Sequence, residues 1–308
     1  GPSVRRDHPI GPLTTYRVGG AASLFLTVAS EAELEGVAKA VAGTGIPVLV
    51  IGKGSNLLVA DAGFPGLALV LGDAFASIDV RATTVRAGGS APLPVLARRT
   101  AAAGLTGLEW AVGVPGSVGG ALRMNAGGHG SEIVASLRRW ALVDLHGGPS
   151  GERPAAALAA GYRTSAVADH HVVVWAEFEL ERGDRAEAEA RIAEIVRWRR
   201  ENQPGGQNCG SVFTNPPGDS AGRLIDSIGW KGRTRGGATV SEKHANFIVN
   251  DRKGTAADVR GLVDAVSAAV REATGVELEP EVVFLGEWES PPPTATPSDI
   301  EPAEETDR

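Results

Sequence analysis

Apolar positions change period twice within the first fifty residues. LFLTVAS, residues 24–30, is a continuous apolar run that ends on a serine, and Leu34, Val37, Ala38 and Val41 then recur at helical spacing. PVLVIG, residues 47–52, is again continuous. This order predicts a β-α-β unit. Ser30 followed by Glu33 is a capping-box pair for the start of the helix, and Gly43 and Gly45 are placed to stop it.

GKGSN follows at residues 52–56. A dinucleotide-fold turn would carry glycine where Leu57 stands, and a helix would come next. LLVADAGFPG is instead a short apolar run broken by Gly and Pro. The segment therefore reads as a strand-turn-strand cradle for an anion, and no ATP-hydrolysing P-loop motif occurs.

The middle of the chain begins with a strand, TTVRAGG, and a helix through PVLARRTAAAG. Residues 107–133 are then dense in glycine. Missing side chains let backbone N–H groups approach a bulky anion, although ordinary tight turns need the same residues. Within that stretch VPGSVGGALRMN predicts a turn that feeds a short helix, whose N-terminus could face a phosphate. Two glycine loops that both carry a Gly-Ser pair favour a dinucleotide or another pyrophosphate-bearing cofactor.

RWALVDLHG and HHVVVWAEFELERGD predict strands, separated by the polar loop AAGYRTSAV. His170 and His171 would then point to opposite strand faces. A long helix spans DRAEAEARIAEIVRWRREN, and its basic end suits a helix C-terminus. SAGRLIDSIG predicts a short helix, ATVSEKHANFIVN a strand, and TAADVRGLVDAVSAAVREATG an amphipathic helix with Thr255 and Asp258 as capping pair. VELEPEVVFLG predicts a last strand with Glu277, Glu279 and Glu281 on one face.

Composition narrows the function classes. The 308 residues suggest about two domains. One cysteine excludes an internal disulfide and any multi-cysteine metal site, and no metal is expected. The net charge of −7 is concentrated at the end. From Glu287 onward seven carboxylates stand against one arginine, leaving the body near neutral and arguing against a nucleic-acid partner. The Pro-rich acidic stretch 288–308 reads as disordered. No apolar run is long enough for a membrane span and no leader pattern is seen, so a cytoplasmic protein without membrane insertion is expected.

QNCGSVFTNPPG, residues 207–218, holds Cys209 and Ser211 in a Gly/Asn/Pro-rich context. Either could be a reactive centre, and turn chemistry alone would also explain the composition.

Seven separated motifs point further: TTYRVGGAA, GKGSNLLV, VGVPGSVGGALRMNAG, YRTS, GSVFTNPPGDSAGRLI, VSEKHANFIVN and LEPEVVFLG. From about Thr14 to Gly286 they resemble, in order and approximate spacing, the UDP-N-acetylenolpyruvoylglucosamine reductases, in the shorter subtype without an extra tyrosine loop. The resemblance implies an α/β (α+β) fold with two N-terminal FAD-binding subdomains of the vanillyl-alcohol-oxidase type, 4–78 and 79–203. An α+β substrate-binding domain would follow at 204–287. It implies a monomeric flavoenzyme of peptidoglycan precursor synthesis, with non-covalent FAD and NADPH as co-substrate in ping-pong order.

Carried over by residue, FAD would meet Gly52, Lys53, Gly54, Ser55, Asn56 and Leu57. The second loop would add Gly113, Val114, Pro115, Gly116, Ser117, Gly119 and Gly120, followed by Asn125, Gly127 and Ile133. Arg163 would hold the substrate carboxylate, Glu281 would assist, and Ser211 would deliver a proton to carbon. Tyr162, Asn215, Arg223 and His244 would contact substrate. Thr214 departs from a common lysine and His129 from a common aromatic residue. Thr214 puts one diphosphate contact in doubt, which Arg223 or Lys243 could replace. Two other readings are a flavin oxidase using oxygen and a non-catalytic sugar-nucleotide sensor. Retention of Ser211 and Glu281 argues against both.

Overall fold

A computed structural model describes residues 3–251, 253–288, 300 and 301. The chain divides into two compact units. The first comprises residues 1–7, 23–53 and 66–199, and the second 8–22, 54–65 and 200–308.

In the first unit, helix α1 (Glu31–Val41) buries Leu34, Val37 and Val41 in a cluster shared with strands Ala21–Val28 and Phe64–Leu71. The Ser30 side chain accepts from Glu33 N at 3.2 Å. The reciprocal arm differs from a capping box, because the Glu33 carboxylate accepts from Ala29 N at 2.8 Å and not from Ser30. Gly43 and Gly45 take φ of 73° and 71°, which ends the helix as anticipated. The strands Arg5–Pro9, Ala21–Val28, Phe64–Leu71 and Val48–Ile51 form one sheet in that order, the last two pairing parallel.

A second sheet is antiparallel and runs Gly151–Pro154, Leu137–Asp144, His171–Glu179, Thr84–Gly88, Ile78–Arg81. Helices α2 (Leu93–Ala102), α3 (Val118–Arg123) and α4 (Arg185–Asn202) place Leu96, Val118, Leu122 and Ile195 in the core that includes this sheet's Trp140 and Phe178. Glu177, buried in its central strand, is held by the Arg139 guanidinium through Nε at 2.7 Å and Nη2 at 2.8 Å.

The opposite-face expectation for His170 and His171 fails. The strand begins only at His171, so His170 sits in the preceding turn, and both imidazoles face Asp144.

In the second unit, helices α5 (Ala221–Ser227) and α6 (Ala256–Thr274) build a core with Tyr16, Leu58, Phe213 and Val240. Thr255 and Asp258 form the full capping box. The Asp61 carboxylate supplies what that box leaves over, accepting from Ala256 N at 3.0 Å and Ala257 N at 2.9 Å. Strand Leu57–Val59 pairs parallel with Val283–Leu285, and no helix follows the 52–56 turn.

Two expectations for this unit are corrected. ATVSEKHANFIVN is not one strand but two short antiparallel ones, Ala238–Val240 and Ile248–Val249, joined by a loop. The strand in VELEPEVVFLG covers only Val283–Leu285, so Glu277, Glu279 and Glu281 share no strand face. Pro280 has no N–H to give, and pairing there shrinks to an isolated bridge with Phe213. Of the stretch expected to be disordered, 289–299 and 302–308 lie outside the described residues. Trp288 packs against the core, Ile300 is buried, and Glu301 exchanges backbone hydrogen bonds with Thr234, each 3.1 Å.

Candidate functional site

The first unit carries Gly52 and Lys53 at the end of strand Val48–Ile51. A Cβ on Gly52 would lie 2.4 Å from Ser117 Oγ, so any larger residue would displace the Ser117 hydroxyl from its place between the two loops. Ser117 is the N-cap of α3 and accepts from Gly120 N. Gly113 ends a 3-10 turn packed on Ile195 and Arg199 of α4; Val114, Pro115 and Gly116 lead from it to Ser117. Gly119 N donates to Gly89 O at 2.8 Å, seating the helix start against a second glycine pair.

Beyond α3 the chain turns at Asn125, whose φ is 39°. Its amide donates to Glu132 Oε2 at 2.9 Å and to Gly161 O at 3.0 Å. Asn125 Oδ1 is buried and has no partner among the described residues. It is a hydrogen-bond acceptor that a ligand donor would satisfy. Gly127 pairs with Glu132 in a two-residue hairpin, and Ile133 is fully buried beside it. Tyr162 and Arg163 sit in a turn closed by a Gly161–Thr164 bridge. Arg163 Nη2 donates to Gly127 O at 3.1 Å, and its guanidinium also lies over the exposed Tyr162 ring. The structure thus brings Asn125, Gly127, Tyr162 and Arg163 together. His129 packs edge-on against Trp198 at 5.2 Å, so it keeps an aromatic contact in that loop.

The second unit carries Gly54, Ser55, Asn56 and Leu57. Gly54, at φ 60°, has its position for a Cβ only 2.2 Å from Leu13 O, and Thr15 N donates to its carbonyl at 3.0 Å. The first motif, TTYRVGG, therefore braces this turn. Asn56 Nδ2 donates to Glu281 O at 2.9 Å, and Val283 N donates to Asn56 O at 3.0 Å.

Ser211 lies on the segment that runs beside Glu281: Glu281 N donates to Val212 O at 2.7 Å. Asn246 fixes the same segment from the other side. It accepts from Phe213 N at 2.9 Å, donates to Phe213 O at 2.8 Å, and takes Val212 N on its own carbonyl. Sequence reasoning did not single out Asn246; its signal is an asparagine inside the apolar run ANFIVN.

Asn215 Oδ1 accepts from Ala221 N at 3.1 Å at the start of α5. His244 Nδ1 accepts from Asn246 N at 3.2 Å, which puts a neutral ring's proton on Nε2, and burial holds its pKa below the ordinary value. Arg223 is already paired: Nε donates to Asp219 Oδ1 at 2.6 Å, and this contact pulls the Asp219 carboxyl down to about 2. Lys243 Nζ donates to Arg200 O. Both cations expected to compensate for Thr214 thus carry protein partners.

Cys209 is buried against the Tyr16 phenol, and loss of solvation pushes its thiol up to about 12. It cannot supply a thiolate at neutral pH.

A separate group unites Asp144, His170 and His171, with ligand atoms within 4.8 Å of one another. His171 Nδ1 accepts from Ala168 N at 3.0 Å, so Nε2 carries the proton and faces Asp144 Oδ2 at 3.4 Å. His170 Nε2 lies 3.7 Å from the same Oδ2, so both imidazoles approach one carboxylate. The strand-face argument against a metal here does not hold, because the three groups converge.

Comparison with known proteins gives two family matches along the chain. Residues 22–148 match the family model described as FAD binding domain, and residues 202–285 the one described as UDP-N-acetylenolpyruvoylglucosamine reductase, C-terminal domain. The chain is 43% identical over 288 residues to the UDP-N-acetylenolpyruvoylglucosamine reductase of Synechococcus sp. (strain RCC307), covering 92% of this chain and 94% of that one. It is 44% identical to the enzyme of that name from Heliobacterium modesticaldum, covering 92% and 90%. The crystal structure of UDP-N-acetylenolpyruvylglucosamine reductase from Thermus caldophilus superposes with a TM-score of 0.81 at 36% identity, covering 92% of this chain and all of that one.

Proposed function

The chain belongs to the UDP-N-acetylenolpyruvoylglucosamine reductase family and is an FAD-dependent oxidoreductase with an α+β fold, and from that premise we propose its reaction in detail. It reduces the enolpyruvyl ether of UDP-N-acetylglucosamine to UDP-N-acetylmuramate with NADPH, the two substrates entering in turn. It acts as a monomer in the cytoplasm. Subdomains 4–78 and 79–203 hold the cofactor, and 204–287 the sugar nucleotide. Among the described residues no helix is long and apolar enough to cross a membrane.

The observation that carries this reading is the hydrogen bond from Glu281 N to Val212 O, next to Ser211. It sets a carboxylate-bearing residue and a hydroxyl-bearing residue on adjoining backbones, one segment pair for a common substrate to meet. The unpaired buried Asn125 Oδ1 and the glycine-closed loops at Gly52 and Ser117 suit a bound dinucleotide. Bound FAD supplies a two-electron carrier between NADPH and substrate.

The chain's own residues do the rest. Reduction of the double bond develops negative charge toward the substrate carboxylate, where Arg163 provides a fixed cation. Ser211 gives its hydroxyl proton to the neighbouring carbon, and Glu281 holds the enol-like substrate in place. Tyr162, Asn215 and His244 contact the sugar nucleotide. Arg223 joins them with the guanidinium donors that Asp219 leaves over. The test is product analysis: NADPH is consumed one-for-one as the sugar nucleotide gains two hydrogens. Unchanged sugar nucleotide alongside NADPH oxidation, with oxygen consumed, would favour an oxidase.

A further inference from the structure

Glu281 has both of its backbone polar groups committed to other parts of the candidate site. Its N–H donates to Val212 O at 2.7 Å, and its carbonyl accepts from Asn56 Nδ2 at 2.9 Å. Asn56 does more than touch the strand, because its own carbonyl accepts from Val283 N at 3.0 Å. The asparagine therefore brackets residues 281–283, extending by one side chain the parallel ladder that pairs Leu57 with Val283. The extension begins where the regular ladder ends. The carbonyl of Glu281 takes a side-chain amide, not a backbone N–H, as its partner on this edge.

Asn56 is itself held from behind. Thr15 N donates to the carbonyl of Gly54 at 3.0 Å, and Thr15 Oγ1 reaches the same carbonyl at 3.4 Å. Gly54 has no room for a Cβ, which would lie 2.2 Å from Leu13 O. The turn that presents Asn56 is thus fixed by packing, and its amide reads out the position of Glu281.

We infer that Asn56 is a positioning residue for the reductase reaction, setting Glu281 through its backbone carbonyl and so tying residues 54–56 to the Ser211 segment. The inference rests on the reading of Glu281 as part of the reaction site, and it reassigns the Asn56 side chain from the cofactor to that carboxylate's backbone. A donor is required at this place. Asp would direct a carboxylate oxygen at a carbonyl oxygen, and Ala would leave a part-buried carbonyl unpaired. Misplacing a reacting group by about 1 Å costs roughly 10²-fold in rate.

The test is a double-mutant cycle on the full chain, read by rapid mixing. Flavin reduction by NADPH and flavin reoxidation by the enolpyruvyl sugar nucleotide are timed separately in wild type, N56A, E281Q and N56A/E281Q. The expected result is that N56A slows reoxidation about 10- to 100-fold, and more than it slows reduction by NADPH. In the E281Q background the further loss from N56A should fall to within about threefold. Multiplicative losses in the double variant, or equal slowing of both half-reactions, would overturn the inference. Where N56A does not retain flavin, N56D takes its place. Loss of flavin from both, with E281Q retaining it, would also overturn the inference, since Asn56 would then serve the cofactor directly. Failure of wild type to reoxidise with this substrate, or an E281Q variant that turns over normally, rejects the underlying reading instead.

Discussion

Arg163 Nη2 donates to Gly127 O at 3.1 Å, and Arg163 makes this contact from a left-handed backbone with φ 56°. A non-glycine residue held there costs on the order of 1–3 kcal/mol, offset by surrounding structure. The arrangement fixes the guanidinium to the glycine loop before any substrate arrives. Arg163→Ala should lower turnover of the enolpyruvyl sugar nucleotide by about 10²- to 10³-fold. Arg163→Lys should recover only part of that loss, because an ammonium cannot reproduce a planar fork. Steady-state kinetics with both variants checks this; wild-type rates in Arg163→Lys would remove the need for a guanidinium.

Ser211→Ala should leave the flavin reducible by NADPH while slowing reduction of the sugar nucleotide by about 10²- to 10⁴-fold, the usual scale for loss of a general acid. Single-turnover mixing separates the two steps. Unchanged reduction of the sugar nucleotide would take Ser211 out of the mechanism.

Cys209, buried with its thiol pushed up to about 12, should resist iodoacetamide at pH 8 in the folded protein and react once denatured. Cys209→Ser should keep its flavin and turnover, at a stability cost of about 1 kcal/mol for reburying a hydroxyl. Mass spectrometry before and after urea checks the first statement, and thermal melts the second.

The Glu177 carboxyl is held below its ordinary range chiefly by the Arg139 guanidinium. A depressed carboxylate stabilises the fold fully above its unfolded value, about 4.3, and the contribution is lost as pH falls through the folded value. Glu177→Gln should therefore be destabilising near pH 7, with the gap to wild type closing as pH falls from about 5 toward 3. Urea midpoints across that range check the sign; a gap that widens on acidification would contradict it.

Elements specified by local chemistry were readable in the sequence. The α6 capping box, the glycine stops after α1 and the absence of a helix after GKGSN follow from residues within a few positions of one another. What was not readable depends on side chains acting in place of backbone. Asn246 pairs with Phe213 as a strand would, which lets SEKHANF leave the sheet as a loop while its ends still read as β-forming. Pro280 truncates a strand that hydrophobic alternation extends to Val276. His170 and His171 converge because a turn, invisible to alternation, ends between them. Ile300 is buried after a long acidic, proline-rich stretch, a contact that composition cannot reveal. The motifs do meet in space: Asn56 and Glu281, 225 residues apart, share an amide hydrogen bond, and Glu281 N donates to Val212 O, next to Ser211.

The central claim is that this chain uses FAD to pass electrons from NADPH to an enolpyruvyl sugar nucleotide. Its most direct test is the visible spectrum of the purified protein in one anaerobic cuvette. The flavin absorbance should bleach on adding NADPH and return when UDP-N-acetylglucosamine enolpyruvate is supplied. A colourless protein that takes up no added FAD, or a reduced flavin that recovers only when air is admitted, would contradict it.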